Sequence, residues 1–189
     1  MEQAINYAGI MGGLAGKPLI KVVEELSHVL PALWIEAFRK MPGATTDIVA
    51  IDQDRYTYLF DLGSERIVAA YGLSTPNPAK RDSSRMQGFL GKISDRFKGR
   101  SDKGHIMSHR QGGGMDINLF PQRADVNRGR SPAGKIYREL ERYCAANPGS
   151  FSFSRLLYSD ASWVPAEIEY GVLYHSKQFR VERFTNAPV

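Results

Sequence analysis

The sequence predicts an α+β fold, in which helices and antiparallel strands occupy separate stretches of the chain. Apolar side chains first recur with the 3.6-residue period of a helix and then, from Asp47 onward, with the two-residue period of strands. A second helical pattern begins at Pro132, and strands resume at Phe151. With 189 residues, of which 42% are apolar, the chain is long enough to bury a core of its own.

The first part of the chain has the pattern of a helix with one buried face. Its apolar positions are Leu19, Val22, Val23, Leu26, Val29, Leu30, Leu33, Phe38 and Met41. We expect Pro31 to kink or split this helix, because proline removes a backbone donor and its ring clashes with the preceding turn. We assign residues 1–45 to a helical segment that packs on, or leads into, the main domain, residues 46–189.

Six short strands are predicted from the two-residue pattern. They are expected at Asp47–Ile51, Tyr56–Leu62, Ile67–Gly72, Phe151–Tyr158, Glu167–His175 and Phe179–Phe184. Tyr56, Tyr58 and Phe60 share one face of the second strand. Such rings can stack on nucleic-acid bases, but aromatic side chains on strands more often pack in the core, which is the interpretation we favour.

Two helices are predicted between these groups of strands. The first has an apolar face formed by Met86, Leu90, Ile93 and Phe97, with Arg85, Lys92 and Arg96 on its other side. The second runs from about Pro132 to Ala146, with Ile136, Leu140 and either Tyr143 or Cys144 pointing inward. The sequence Asn147-Pro148-Gly149 stops it.

Positive charge is concentrated in one part of the chain. From Lys80 to Arg142 there are 15 Lys and Arg against 7 Asp and Glu, a local net charge of +8, whereas the rest carries 10 against 13, or −3. A basic cluster of this kind is either a solvated face or a site for a polyanion such as nucleic acid.

Composition also excludes several classes of protein. Cys144 is the only cysteine, so an intramolecular disulfide or a cysteine-based zinc site cannot form, and we interpret this thiol as part of the core. No apolar run reaches the roughly 20 residues that a membrane span needs. The first residues lack a basic region before their weak apolar stretch, so we expect no classical signal peptide and no membrane association.

His105 is the first candidate catalytic residue. A neutral imidazole can accept a proton from water, as a general base for phosphodiester hydrolysis must. A lone histidine is more often structural, so His105 alone does not decide the matter. His109 lies four residues later, so His105 and His109 could instead be two ligands of a zinc ion, although no third ligand is apparent in the sequence.

Asn127 and Glu141 are candidate oxygen ligands for a metal. Magnesium prefers oxygen donors and keeps several of its waters, so one amide oxygen and one carboxylate can suffice. On its own, an asparagine in this position is more often a turn or helix-capping residue.

Four linked elements make the pattern specific. They are Asp102-Lys103-Gly104-His105, Asn118-x-x-Pro121-Gln122, Asn127-Arg128-Gly129 and Tyr137-x-x-Leu140-Glu141. In this order and spacing they resemble the DNA/RNA non-specific endonuclease family, with its DRGH box. The resemblance is closer to the branch found as toxin domains of bacterial polymorphic and type VI secretion systems, and it covers roughly Tyr56 to Tyr174.

The resemblance implies a ββα-metal (His-Me finger) core with an antiparallel sheet and flanking helices. In it His105 would be the general base, Asn127 the direct ligand of Mg²⁺, for which Mn²⁺ can substitute, and Glu141 the residue that holds water on the metal. Asn118 would support His105 or its loop. The candidates for substrate binding are Lys103, Arg110, Arg128 and Arg130.

Two departures from the family pattern bear on these roles. Lys103 replaces the arginine of the box, which keeps the charge but loses the planar fork that binds phosphate. The segment from Arg130 to Lys135 is longer than the family turn, so Glu139 competes with Glu141, and we prefer Glu141 because Tyr137 and Leu140 keep the family spacing to it.

The predicted function is therefore a magnesium-dependent, sequence-non-specific endonuclease acting on DNA, and an antibacterial effector. It implies a cognate immunity protein as partner, delivery without a classical signal peptide, and action in the cytoplasm of a target bacterium. Two alternatives remain open at this point: a nuclease that prefers RNA, and a basic nucleic-acid-binding module with a degenerate nuclease core.

Overall fold

The computed structural model describes residues 4–77, 82, 84 and 101–187. In chain order the elements are α1 (Tyr7–Gly13), α2 (Leu19–Phe38), β1 (Ile48–Gln53), β2 (Tyr56–Asp61), β3 (Arg66–Leu73), β4 (Ser101–His105), β5 (Leu119–Arg123), α3 (Ala124–Asn127), α4 (Pro132–Ala146), β6 (Phe151–Leu157), β7 (Glu167–Leu173) and β8 (Phe179–Thr185). The predicted helix around Met86 to Phe97 lies outside the described residues.

Six strands form one antiparallel sheet in the order β1-β2-β3-β6-β7-β8. A separate antiparallel pair, β4 and β5, is followed directly by α3 and α4, which gives a ββα unit beside the large sheet. The prediction of an α+β fold with an antiparallel sheet is confirmed. The strand boundaries differ from those predicted by one or two residues.

Helix α2 contacts β3 and β6 of the sheet and is continuous. Of the two expected effects of Pro31, a kink or a split, the split is wrong. Pro31 is half-buried, and it lies between Leu30 and Trp34, which are both fully buried in the core. Packing of these neighbours compensates for the one backbone hydrogen bond that the proline removes.

Tyr56 and Tyr58 are buried in the same core, so the interpretation of these rings as packing residues is confirmed. Helix α4 begins and ends as predicted, with Leu140 and Cys144 buried and Ile136 partly buried against the core, and its buried face also contains Tyr137. Cys144 is also buried, and burial raises the pKa of its thiol to about 12, which keeps the sulfur protonated and unreactive.

Among the described residues, no helix is long and apolar enough to cross a membrane.

A buried polar cluster ties α1 to the sheet. The hydroxyl of Tyr7 donates to Glu169 Oε2 over 2.5 Å and accepts a hydrogen bond from Trp34 Nε1 at 3.1 Å. The same carboxylate oxygen accepts from Arg155 Nε at 2.9 Å. Burial raises the pKa of Tyr7, and the negative charge of Glu169 raises it further, so the phenol remains a donor. This cluster holds α1 in place through charge-assisted hydrogen bonds.

The cluster predicts the effect of Tyr7→Phe. Removing the hydroxyl leaves the buried Glu169 short of a donor and Trp34 short of an acceptor, so the free energy of unfolding should fall by about 1–3 kcal/mol in urea titrations. Ile20→Ala is the control because Ile20 is 61% exposed, and it should change stability by less than about 0.5 kcal/mol. Equal effects of the two substitutions would contradict this role for the cluster.

Candidate active site

His105 is the last residue of β4, and only 6% of its surface is exposed. In the antiparallel pair, His105 lies opposite Leu119 of β5, and the preceding residue, Gly104, lies opposite Phe120. A Cβ atom at Gly104 would lie 2.1 Å from Gln122 Oε1, so only glycine lets the buried Gln122 side chain approach β4 this closely. His105 therefore lies at the end of a strand whose preceding residue is tightly packed against β5.

Asn118 holds the turn that follows His105. Its Oδ1 accepts from the backbone amide of Met107, and its Nδ2 donates to the carbonyls of Met107 and Gly114, each over 2.8 Å. The backbone carbonyl of Asn118 also accepts from Ile106 N. Asn118 is fully buried, so its contribution is to position the backbone next to His105.

Asp102 joins the hairpin to α3. Its carboxylate accepts a hydrogen bond from Asn127 Nδ2 at 2.9 Å and from Arg128 Nε at 2.8 Å, and Arg128 Nη2 contacts its other oxygen. Because the amide nitrogen of Asn127 faces the carboxylate, its amide oxygen points away from it. Within the described part of the chain, no hydrogen bond donor reaches that oxygen, so Asn127 presents an open oxygen ligand.

Burial of Asp102 raises the pKa of its carboxyl, but the hydrogen bonds from Arg128 and Asn127 outweigh this effect and hold the pKa below its ordinary value. The carboxylate is therefore charged at neutral pH. Since a charged carboxylate can only accept hydrogen bonds, it also determines which end of the Asn127 amide faces it.

Glu141 lies on the buried face of α4, 6% exposed, and its Oε2 forms an ion pair with Arg138 Nη1 at 2.6 Å. It lines a cleft of about 370 Å³ together with Ser108, Arg110, Arg138, Arg142, Ala145 and Ala146. Glu139 points elsewhere: its side chain is 57% exposed and pairs with Arg180 of β8 at 3.0 Å. Glu139 and Glu141, the two alternatives for the metal-site glutamate in the sequence, thus have different surroundings.

The structure brings several of the predicted residues together. Arg110 shares the cleft with Glu141, and Asn127 is joined to the strand that ends in His105. The guanidinium fork of Arg128 binds Asp102, and its role as a phosphate clamp stays a prediction. Arg130 is exposed after α3, and Lys103 is half-buried on β4 opposite Pro121.

His109 is buried in the turn after His105, with 6.1 Å between the centroids of the two rings. Within the residues that the structure describes, no group of three His, Cys, Asp or Glu side chains is arranged to hold a metal. The donors available at Asn127 and Glu141 are an amide oxygen and a carboxylate. This set fits a hard cation such as magnesium better than zinc, which favours nitrogen and sulfur ligands.

Sequence reasoning gave no role to Asp102, Arg138 or Arg142. The Arg138–Glu141 pair has i, i+3 spacing on a helix, a signal that the sequence contains. The contact between Asp102 and Asn127 spans 25 residues and needs the fold to be known.

The lowered pKa of Asp102 predicts a pH dependence. A carboxyl whose folded pKa lies below its unfolded value stabilises the fold above the unfolded pKa, and this contribution is lost as pH falls through the folded pKa. The stability difference between wild type and Asp102→Asn should therefore shrink as the pH falls below about 4. Urea titrations across this range, with the exposed Asp47→Asn as control, measure it. A difference that is independent of pH would contradict the assignment.

No protein-family model matches the sequence, and no curated protein matches it. Among solved structures, the chain is similar to Sda1 nuclease with a bound zinc ion, at a TM-score of 0.50 and 14% identity, over 73% of this chain and 75% of that one. An extracellular endonuclease gives a TM-score of 0.46 at 14% identity, over 77% of this chain and 85% of that one. At this level of identity, the likeness to Sda1 nuclease shows a shared fold.

Proposed function

We propose that the chain is a metal-dependent endonuclease that hydrolyses the phosphodiester bonds of DNA without sequence preference. The observation that carries the proposal is the hydrogen bond from Asn127 to Asp102. It joins the helix after the hairpin to the strand that ends in His105, and it turns the amide oxygen of Asn127 outward. A potential base and a hard oxygen ligand are thereby held on adjoining elements.

His105 is the proposed general base. The imidazole takes a proton from water, the water oxygen attacks phosphorus, the bond from phosphorus to the 3′ oxygen breaks, and the leaving 3′ oxygen takes up a proton from solvent water. Burial at the end of β4 and the turn braced by Asn118 restrict the ring, which favours a fixed geometry for proton transfer. Because the nucleophile is water and no ribose 2′-hydroxyl takes part, the same chemistry applies to the phosphodiester bonds of DNA and RNA.

Asn127 and Glu141 are the proposed residues that hold the cation. A bound divalent ion neutralises the charge that develops on the phosphate and the leaving oxygen. We propose Mg²⁺, with Mn²⁺ as a substitute, because both accept oxygen ligands. Sda1 nuclease contains zinc, which supports metal dependence in this fold, whereas the choice of magnesium rests on the oxygen donors of this chain.

Arginines of the cleft and the basic stretch from Lys80 to Arg142 supply the affinity for a polyanion. The similarity of the sequence motifs to effector toxins supports the further proposal of an antibacterial role, with an immunity protein that masks the site in the producing cell. A nucleic-acid-binding module with a degenerate core would bind DNA but not cleave it, and this difference separates the two functions.

His105→Ala tests the proposed chemistry. Wild type should nick plasmid DNA with magnesium and lose this activity with a chelator, and the substitution should lower the rate by about 10² to 10⁴. Binding of DNA in the presence of chelator should persist, because the cations provide the affinity. Cleavage within tenfold of wild type would identify another base, with His109→Ala as the next variant. A wild type that binds but never cleaves would favour the binding module.

Glu141→Gln and Glu139→Gln form a matched pair on one helix. Glu141→Gln should lower cleavage and raise the magnesium concentration needed for half of the maximal rate, because a neutral amide attracts the cation less than a carboxylate does. Glu139→Gln should change neither quantity by more than about twofold, since Glu139 pairs with Arg180 outside the cleft. The measurement is the cleavage rate against magnesium concentration. The reverse ranking would overturn the metal assignment.

A further inference from the structure

The cleft that Glu141 shares with three arginines has a charge that the metal site does not explain. We propose that it is a subsite for a phosphate of the substrate strand next to the one being cleaved, held by Arg110 and Arg142. The inference rests on the proposed function, because it assigns a second group of the same nucleic-acid substrate to this cleft.

The charge balance of the cleft is the first argument. Of its three arginines, Arg138 is neutralised by Glu141. Arg110 and Arg142 are exposed, and among the described residues neither forms an ion pair. Two uncompensated cations in one cleft favour binding of an anion.

The orientation of these arginines is the second argument. Arg142 Nε donates to the carbonyl of Arg138 at 3.0 Å, which fixes the guanidinium along α4 and leaves its two terminal amino groups for a ligand. Arg110 follows His109 in a turn whose next residue, Gln111, is fully buried. Gln111 Nε2 donates to the Tyr170 hydroxyl at 2.8 Å, and the Gln111 carbonyl accepts from the Tyr56 hydroxyl at 3.0 Å. The backbone that carries Arg110 is thereby anchored in the core.

The position of the cleft along α4 is the third argument. The end of α3 packs against the first half of α4, where a Cβ on Gly129 would lie 2.9 Å from Arg138 Cγ. The cleft extends along α4 from Arg138 to Ala146, a distance of roughly 12 Å along the helix axis. It therefore leads away from Asn127, and the small side chains of Ala145 and Ala146 leave room for a phosphate and its sugar.

Binding without cleavage tests the subsite directly. The probe is a fluorescein-labelled single-stranded oligodeoxynucleotide, titrated with the full chain in EDTA at several salt concentrations. Arg142→Gln and Arg110→Gln should each weaken binding and reduce the slope of log affinity against log salt by about 0.7, the value for one lost contact to a single-strand phosphate. Arg39→Gln is the matched control, since Arg39 is exposed at the end of α2 and outside the cleft, and its slope should equal that of wild type.

A second measurement compares cleavage of a dinucleotide, which contains only the scissile phosphate, with cleavage of a longer oligonucleotide in magnesium. Arg142→Gln should reduce the ratio of kcat/KM for the longer substrate to that for the dinucleotide, whereas Arg39→Gln should keep the ratio of wild type. The subsite proposal would be overturned if Arg142→Gln kept the salt slope and the kcat/KM ratio of wild type. It would also be overturned if Arg39→Gln reduced both quantities as much as Arg142→Gln does. If wild type binds through these arginines but cleaves neither substrate, the proposed function fails and the anion site stands.

Discussion

The carboxylate of Asp102 is the interaction on which the candidate site depends. It lies three residues before His105 on β4 and accepts hydrogen bonds from Asn127 and Arg128 on the far side of the hairpin. It gives α3 a polar link to β4 and fixes the orientation of the Asn127 amide. One partly buried charge therefore sets both the spacing of the elements and the direction of the Asn127 amide oxygen.

The large sheet supplies the rigid support for this arrangement. Tyr137 of α4 packs against Tyr170 and Phe184 of the sheet, with ring centroids 5.3 and 5.2 Å apart. Near the C-terminal end, the Asn186 side chain accepts from Arg123 N and donates to the carbonyls of Pro121 and Pro165. The helix that carries Glu141 and the strand β5 are thus fastened to the same sheet, so the site can be held in a defined geometry.

Residues with a regular local pattern were predictable from the sequence. The hydrophobic period predicted the six strands of the large sheet and the limits of α4, and motif spacing singled out His105, Asn118, Asn127 and Glu141 as candidates. Features that depend on distant contacts were not predictable. Pro31 remains within a helix because Leu30 and Trp34 are buried on the sheet, and Arg128 binds Asp102 across 26 residues. Neither feature can be predicted from local sequence propensity, since both arise from tertiary packing.

The central claim is that Asn127 and Glu141 form the cation site of a nuclease core. It is tested most directly by anomalous diffraction from crystals of the full chain soaked in Mn²⁺. The account predicts an anomalous peak at coordination distance from Asn127 Oδ1, on the side of the amide that faces away from Asp102. A peak between His105 and His109, or none in crystals of a cleaving enzyme, would contradict it.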